Sequence, residues 1–569
     1  MVGLENPWYA GGWAILAVAV LLACSPLIAA GAGTWRRVAG APAAFVTTLA
    51  AATLYFRLPS ITSGVFLNAD EAQMTAQAIT FLHHPVPWLD FDGTTSGPLN
   101  TMIVALPALF GARPTLASSR LIGALLLVVM LVCLYVASRR LCGDLAARVS
   151  VLLPLAVVCA ATDGAYVQYA SELLPIALCA VAVMCIAELV ARRAAVPAFA
   201  GTAGVAIGAM PLAKLQAAPL ALVLGIACAV VLYTVGTAGD RRRSWLSFAG
   251  GVVAVPALIL IAVAARGAFD DFLTAYVVFP RVYLAGNCCH VAGLDFFLAD
   301  APFAAFFLIA ACLAAALAAA TAFVWREAPR SGSRKTYALL GFCALMVVVA
   351  LYTVEAPQTP FVHYLLFLVL PVSGIVATLL GAYAAALRDS PRPRWILAAS
   401  VLVMAIACVV PVARGSLAYN PFLDHDILTV QPPGDAAVRT LEASIEPGQR
   451  VAMWGWMPQY LVYTGAVMGT RDSISQFQIE PRSFRDYYRA RYLSDFLRNQ
   501  PDFVIEAIGP NAFAFHDRAT QGVASFPELN RLLDASYRVV FDSVDVRLFE
   551  RKRSFGRQTR VGVSVMPAS

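Results

Sequence analysis

Apolar stretches of close to twenty residues, parted by short polar turns, follow one another from the first residues to Val412 and then stop. Each is long enough to cross a hydrocarbon layer of about 30 Å as a helix. In order they lie at about 12–32, 41–57, 118–137, 145–161, 171–191, 197–212, 215–236, 246–265, 301–324, 336–353, 362–385 and 394–412, which makes about twelve expected spans. The first has no Lys or Arg ahead of it, only Glu5, and more spans follow, so it reads as a retained helix and not a cleaved signal. The apolar piece from Asn100 to Phe110 is shorter and reads as a juxtamembrane helix in the interface.

Beyond Val412 the pattern changes to short alternating runs. "RVAMWGWM", "DFVIEAI" and "YRVVFDSVDVRLFER" predict strands, the last a hairpin, and "SFRDYYRARYLSDFLRNQ" predicts a helix between the first two. The expected fold class is therefore a polytopic α-helical membrane protein, residues 1–413, with a small C-terminal α/β domain, residues 414–569. Its first long polar loop covers about 58–117. Within the C-terminal domain Arg482, Arg485 and Arg489 fall at helical spacing beside Tyr488 and Tyr492, which suits a solvated face or an acceptor surface. Trp454 and Trp456 suit core packing, with stacking on a sugar as the alternative.

Composition agrees with the pattern. The chain is 60% hydrophobic and 13% charged, against about 25% charged in soluble domains. Residues 415–569 hold 17 Lys and Arg against 17 Asp and Glu, so the whole net charge of +7 belongs to the membrane half. That points to topology and not to nucleic acid. The basic clusters are Arg36–Arg37, Arg139–Arg140, Arg192–Arg193, Arg241 to Arg243, Arg326 to Lys335 and Arg388 to Arg394, and twelve spans put them all on one side. The positive-inside rule makes that side cytoplasmic and the chain a multi-pass plasma (inner) membrane protein, with the C-terminal domain and the remaining polar loops extracytoplasmic. Nine of twelve Cys fall in spans as small apolar residues, and Cys288, Cys289 and His290 lack a zinc-site spacing.

The ionisable residues of the outer face carry the candidate chemistry. Asp70 and Glu71 open the amphipathic stretch "ADEAQMTAQAITFL", where they suit a helix start, a general base or an acidic pair for a divalent metal ion. Asp90 and Asp92 sit in "DFDGTTSGPLN", a turn-rich stretch, as turn formers or substrate ligands. Asp163 and Glu172 flank a short connection, solvated or facing substrate. Lys214, between two apolar runs, either snorkels to the interface or binds a phosphate. Arg281, Gln358, His363 and Tyr364 complete the set. The middles of the spans hold almost no ionisable groups, whereas ion-coupled transporters place such groups near the midplane.

The order of these pieces resembles a family. A "DE" in the first outer loop, "GPL" before an apolar stretch, then "ASRRLCGD", "YASELLPIAL", "GAMPLAKLQAAPL" and "HYLLFLVLPVS" look like the GT-C superfamily of membrane glycosyltransferases. The branch resembled is that of the protein O-mannosyltransferases and the lipid A aminoarabinose transferases, over roughly Leu58 to Val412. Where the latter carry Lys-Pro-Pro before the juxtamembrane helix, this chain has Ser96-Gly97-Pro98. The resemblance implies an inverting enzyme that moves one sugar from a polyprenyl-phosphate donor to an envelope lipid, polysaccharide or protein. It implies Asp70 as the carboxylate that activates the acceptor, with Glu71 assisting. Lys214, His363, Tyr364 and Arg281 would bind the donor phosphate, and Asp90, Asp92, Asp163, Glu172 and Gln358 the substrates. No nucleotide cofactor is implied, and a divalent ion at Asp70 and Glu71 stays open. The alternative readings are a lipid-linked sugar transporter and a non-catalytic envelope assembly protein.

Overall fold

A computed structural model describes residues 6–28, 40–93, 96–281, 294–325, 333–357, 361–388, 395–424, 426–481 and 483–552. Cys288, Cys289, His290, Gln358 and Arg482 lie outside them. Among the described residues ten helices are long and apolar enough to cross a membrane. The other two expected spans are the 17-residue helices Asp144–Ala160 and Pro197–Ala213, at the lower limit for a crossing. The stretch from Asn100 forms the helix Pro98–Val104 and a 3₁₀ turn, Leu106–Phe110, that exposes Leu109 and Phe110. The protein is a polytopic helical membrane protein with a small C-terminal sheet domain.

Six helices position the site: α1 (Ala69–His83), α2 (Leu116–Cys142), α3 (Leu173–Arg192), α4 (Pro197–Ala213), α5 (Ala238–Ala265) and α6 (Leu366–Arg388). Charge sorts to their two ends. At one end Glu188 of α3 pairs with Arg140 at 2.6 Å and Arg192 at 2.9 Å. At the other lie Glu172, just before α3, and Lys214, just after α4. Small residues let α4 and α5 touch. A Cβ on Gly208 would fall 2.1 Å from the Val252 carbonyl oxygen, and one on Gly204 2.3 Å from that of Phe248. Backbones this close are the usual result of glycine stripes between apolar helices, and here the contact fixes the height at which α4 delivers Lys214.

The C-terminal sheet has the order β2-β1-β3-β5-β4. Strands β1 (Arg450–Gly455), β2 (Val467–Met468) and β3 (Phe503–Ala507) are parallel, and β4 (Tyr537–Asp542) and β5 (Val546–Arg551) form the antiparallel hairpin. Trp454 is fully buried beside Tyr492 and Phe526, while Trp456 packs on Phe513 and Phe515. Helix α7 (Gln459–Thr464) lies on α1, and α8 (Arg485–Asn499) carries Arg485 and Arg489 of the expected arginines. Tyr488 and Tyr492 point into the domain, and Arg489 stacks on Phe526 at 4.9 Å.

Two other arginines join this domain to the membrane half. Arg491 meets Asp92 of the first loop at 2.7 Å and Asp472 of its own domain. Arg471 meets Asp495 at 2.7 Å, Asp271 of the short helix Phe269–Phe272 after α5 at 2.6 Å, and the Trp88 carbonyl. Burial pushes the Asp472 carboxyl up to about 6, with Arg491 opposing the rise and Asp92 and Asp495 adding to it. A carboxyl raised by folding holds its proton more tightly in the folded state. Its contribution is therefore full below the unfolded value near 4 and is lost as pH rises through about 6. The fall in melting temperature between about pH 5 and pH 7.5 is expected to shrink in Asp472→Asn, and an equal fall in both proteins would exclude Asp472 as its source.

Candidate active site

Helix α1 begins with a cap: the Asn68 side-chain oxygen accepts from the Asp70 N–H at 2.8 Å. Asp70 and Glu71 thus fall in a first turn, where the helix dipole favours carboxylates, but they face different ways. Glu71 is 0% exposed. Arg120 of α2 grips it with Nη2 at 2.9 Å and Nε at 3.1 Å from both oxygens, and the Tyr169 N–H donates to Oε1 at 2.9 Å. The remaining Arg120 donors go to the carbonyls of Ser60, Ser63 and Val65. Glu71 ties the first loop to α2 and to the turn before α3.

Asp70 differs in each respect. Among the described residues no hydrogen bond or ion pair holds its carboxylate. Part of the side chain meets solvent, yet protein surrounds it closely enough that burial raises its carboxyl above the ordinary carboxylate range. His363 and Lys214 work against that rise and Glu172 adds to it, so all three lie within electrostatic reach of Asp70. A carboxylate with a raised pKa and no partner is suited to accept a proton.

Lys214 sits opposite. Its Nζ pairs with Glu172 and donates to the Ser171 hydroxyl at 2.7 Å, with the Tyr364 ring centre 4.9 Å away. His363 Nε2 is 3.7 Å from the same Glu172 oxygen, and Phe361 stacks on the imidazole at 5.5 Å. A bond relay fixes the turn carrying Ser171 and Glu172. The Asn100 amide donates to the carbonyls of Ser171 at 3.1 Å and Ala213 at 2.7 Å, and the Tyr169 hydroxyl donates to the Asn100 oxygen at 2.8 Å. Ser96 forms an antiparallel bridge with Lys214, and the Gly97 N–H donates to Ala213 at 2.9 Å. A Cβ on Gly97 would lie 1.8 Å from the Leu212 oxygen, so the departure from Lys-Pro-Pro is a close-approach glycine.

The structure therefore brings Asp70, Glu172, Lys214, His363 and Tyr364 together. Other candidates lie elsewhere. Asp90 accepts from the Val86 N–H at 3.1 Å within a turn, Asp92 faces Arg491, and Asp163 caps Gly164–Val167. Arg281 is exposed, two residues past Phe279, whose ring packs on Phe477 at 4.6 Å. Among the described residues no three His, Cys, Asp or Glu side chains gather for a metal ion, and both Glu71 oxygens are committed to Arg120. Arg120, Tyr169, Asn100, Ser171 and Arg491 were not among the candidates. Only Arg120 left a signal, a lone cation in "LASSRLIGALLLVVML", where an intramembrane charge implies a buried partner.

Together these elements make a helical membrane half with polar groups gathered at one end beneath a soluble domain. The crystal structure of ArnT from Cupriavidus metallidurans bound to undecaprenyl phosphate has this fold, with a TM-score of 0.53 at 15% identity, covering 91% of this chain and 100% of that one. Its apo form gives a TM-score of 0.48 at 15% identity over 89% of this chain and 98% of that one. The Archaeoglobus fulgidus oligosaccharyltransferase in the apo form gives 0.44 at 12% identity, over 88% and 79%. No protein-family model matches the chain, and no curated protein matches it by sequence. The chain thus shares the overall fold of the undecaprenyl-phosphate-bound ArnT structure.

Proposed function

We propose that the protein is an inverting glycosyltransferase that moves one sugar from a polyprenyl-phosphate donor to a hydroxyl of an envelope lipid, polysaccharide or protein. The observation that carries this reading is the gathering at one end of the helices of Asp70, whose raised carboxyl has no hydrogen bond or ion pair among the described residues, and the buried cation Lys214. The donor would arrive from the bilayer with its phosphate at Lys214, His363 and Tyr364. The acceptor would arrive from water at Asp70. As the acceptor oxygen bonds to the anomeric carbon, its proton passes to Asp70. The bond from that carbon to the phosphate oxygen breaks, and its electron pair leaves with the polyprenyl phosphate. A phosphate leaving group needs positive charge more than a proton, so one base suffices. Glu172 holds Lys214 oriented, and Glu71 holds the turn that bears Glu172.

The positive-inside rule, applied to the basic clusters of the sequence, supports an extracytoplasmic position for this edge. The test is donor use. Lys214→Ala removes a charge-assisted contact worth roughly 1.5–3 kcal/mol and is expected to raise the donor KM about tenfold or more. Lys214→Arg should recover part of that, since charge is kept while geometry changes. An unchanged donor KM in Lys214→Ala would remove Lys214 from the phosphate site.

A further inference from the structure

The joint between the two halves is made of buried charge, and that is a costly way to hold two domains together. Arg471, Arg491, Asp92, Asp472 and Asp495 are all less than a tenth exposed. Within the joint the Arg491 Nε, Ser473 Oγ, Gln478 Oε1 and Tyr488 hydroxyl have no partner among the described residues. Well-packed apolar residues would give equal or greater stability than such a network. What a charged, directional joint gives instead is a single register.

The register it sets leads to Lys214. Asp92 is fixed three ways: by Arg491 at its carboxylate, by the Arg471 carbonyl at its N–H (2.9 Å), and by the Gln77 amide at its carbonyl (2.9 Å). Four residues later Ser96 bridges Lys214. The helical segment Phe269–Val278 after α5 is fixed by Asp271, shared between Arg471 and the Tyr487 hydroxyl (2.9 Å). Tyr276 of that segment donates to the Pro211 carbonyl at 2.7 Å, three residues before Lys214. Between the two, Trp88 has φ of +59°, a costly conformation for a large side chain. Its ring is held by Phe272 and Tyr276, and its carbonyl by Arg471.

We infer that Arg491 and Arg471 are positioning residues through which the C-terminal domain clamps the first loop and the short helical segment after α5 onto the end of α4 and so sets Lys214 for the donor phosphate. This rests on the function proposed above. The domain is thereby part of the reaction centre and not a separate module beside it.

The test uses the full-length protein in detergent with undecaprenyl phosphate alone as the probe. Its dissociation constant, its binding stoichiometry and the melting temperature are measured for Arg491→Lys, Asp92→Asn, the double variant and Lys214→Ala. Arg491→Lys keeps the charge but cannot hold two carboxylates in a fork. Asp92→Asn keeps shape, and it decides the matter if Arg491→Lys does not fold. Each single variant is expected to weaken binding about tenfold, the scale of a small misplacement of a binding group. The double variant should weaken it no further, because both act through one contact. Stoichiometry should stay near wild type, and the melting temperature should fall only modestly, because Arg491 keeps Asp472 as its counter-ion. If Lys214→Ala weakens binding while Asp92→Asn leaves the constant unchanged, the clamp is overturned and the phosphate site stands. If the variants lower only stoichiometry and melting temperature, the joint is merely structural. If Lys214→Ala also binds normally, the phosphate site falls and the clamp falls with it.

Discussion

Asp70→Asn is expected to leave the protein folded in the membrane and to cut sugar transfer by about 10²-fold or more, the scale of general-base catalysis. The fold should survive because the Asp70 carboxylate makes no hydrogen bond or ion pair among the described residues, and the capping bond uses its N–H. Asparagine keeps the size and the N–H and loses only the proton acceptor. The raised carboxyl gives a second signature. Asp70 must be ionised to act, so kcat/KM should rise with pH as its proton is lost, and that acid limb should lie above the ordinary carboxylate range. A matched pair of measurements decides it, transfer rate against pH in the wild type and in Asp70→Asn. Near-normal transfer by the variant would end the base assignment, whereas loss of transfer with normal folding excludes a non-catalytic assembly role.

What could be read in advance was whatever depends on neighbouring positions. Spans follow from apolar run length, and all twelve expected positions are helical. The hairpin Tyr537–Arg551 follows from alternation and strands β1 and β3 from short β-rich apolar runs, whereas β2, only two residues long, is too short to leave a pattern. Asp70, Lys214 and His363 stand out as polar groups beside apolar runs, and the structure brings them within electrostatic reach of one another.

The pairings that distinguish one carboxylate from another could not be read. Asp70 and Glu71 are adjacent and chemically alike, and their fates diverge because Arg120, 49 residues from Glu71, occupies only one side of the helix. Asp92 had the appearance of a turn former because its partner Arg491 is 399 residues away. Gly97 looked like turn punctuation, and only the Leu212 backbone beside it shows why no side chain fits.

Glu71→Ala is expected to fail by a different route from Asp70→Asn. Removing this carboxylate leaves the Arg120 guanidinium, itself 2% exposed, buried without its counter-ion. Breaking one side of a buried pair costs about 3–5 kcal/mol. The Tyr169 N–H would lose its acceptor as well, and Tyr169 leads through Asn100 and Ser171 to Lys214. The melting temperature in detergent should therefore fall by about 5 °C or more, with transfer falling in step as the folded fraction and the Lys214 geometry are lost. Glu71→Gln should fall less in both, because the amide oxygen can still accept from Arg120 and Tyr169. Arg120→Met combined with Glu71→Leu removes both buried charges together but strands the Ser60, Ser63 and Val65 carbonyls and the Tyr169 N–H, so it should regain only part of the melting temperature. A Glu71→Ala protein that melts like wild type and yet transfers no sugar would reverse the assignment and make Glu71 a participant in the chemistry.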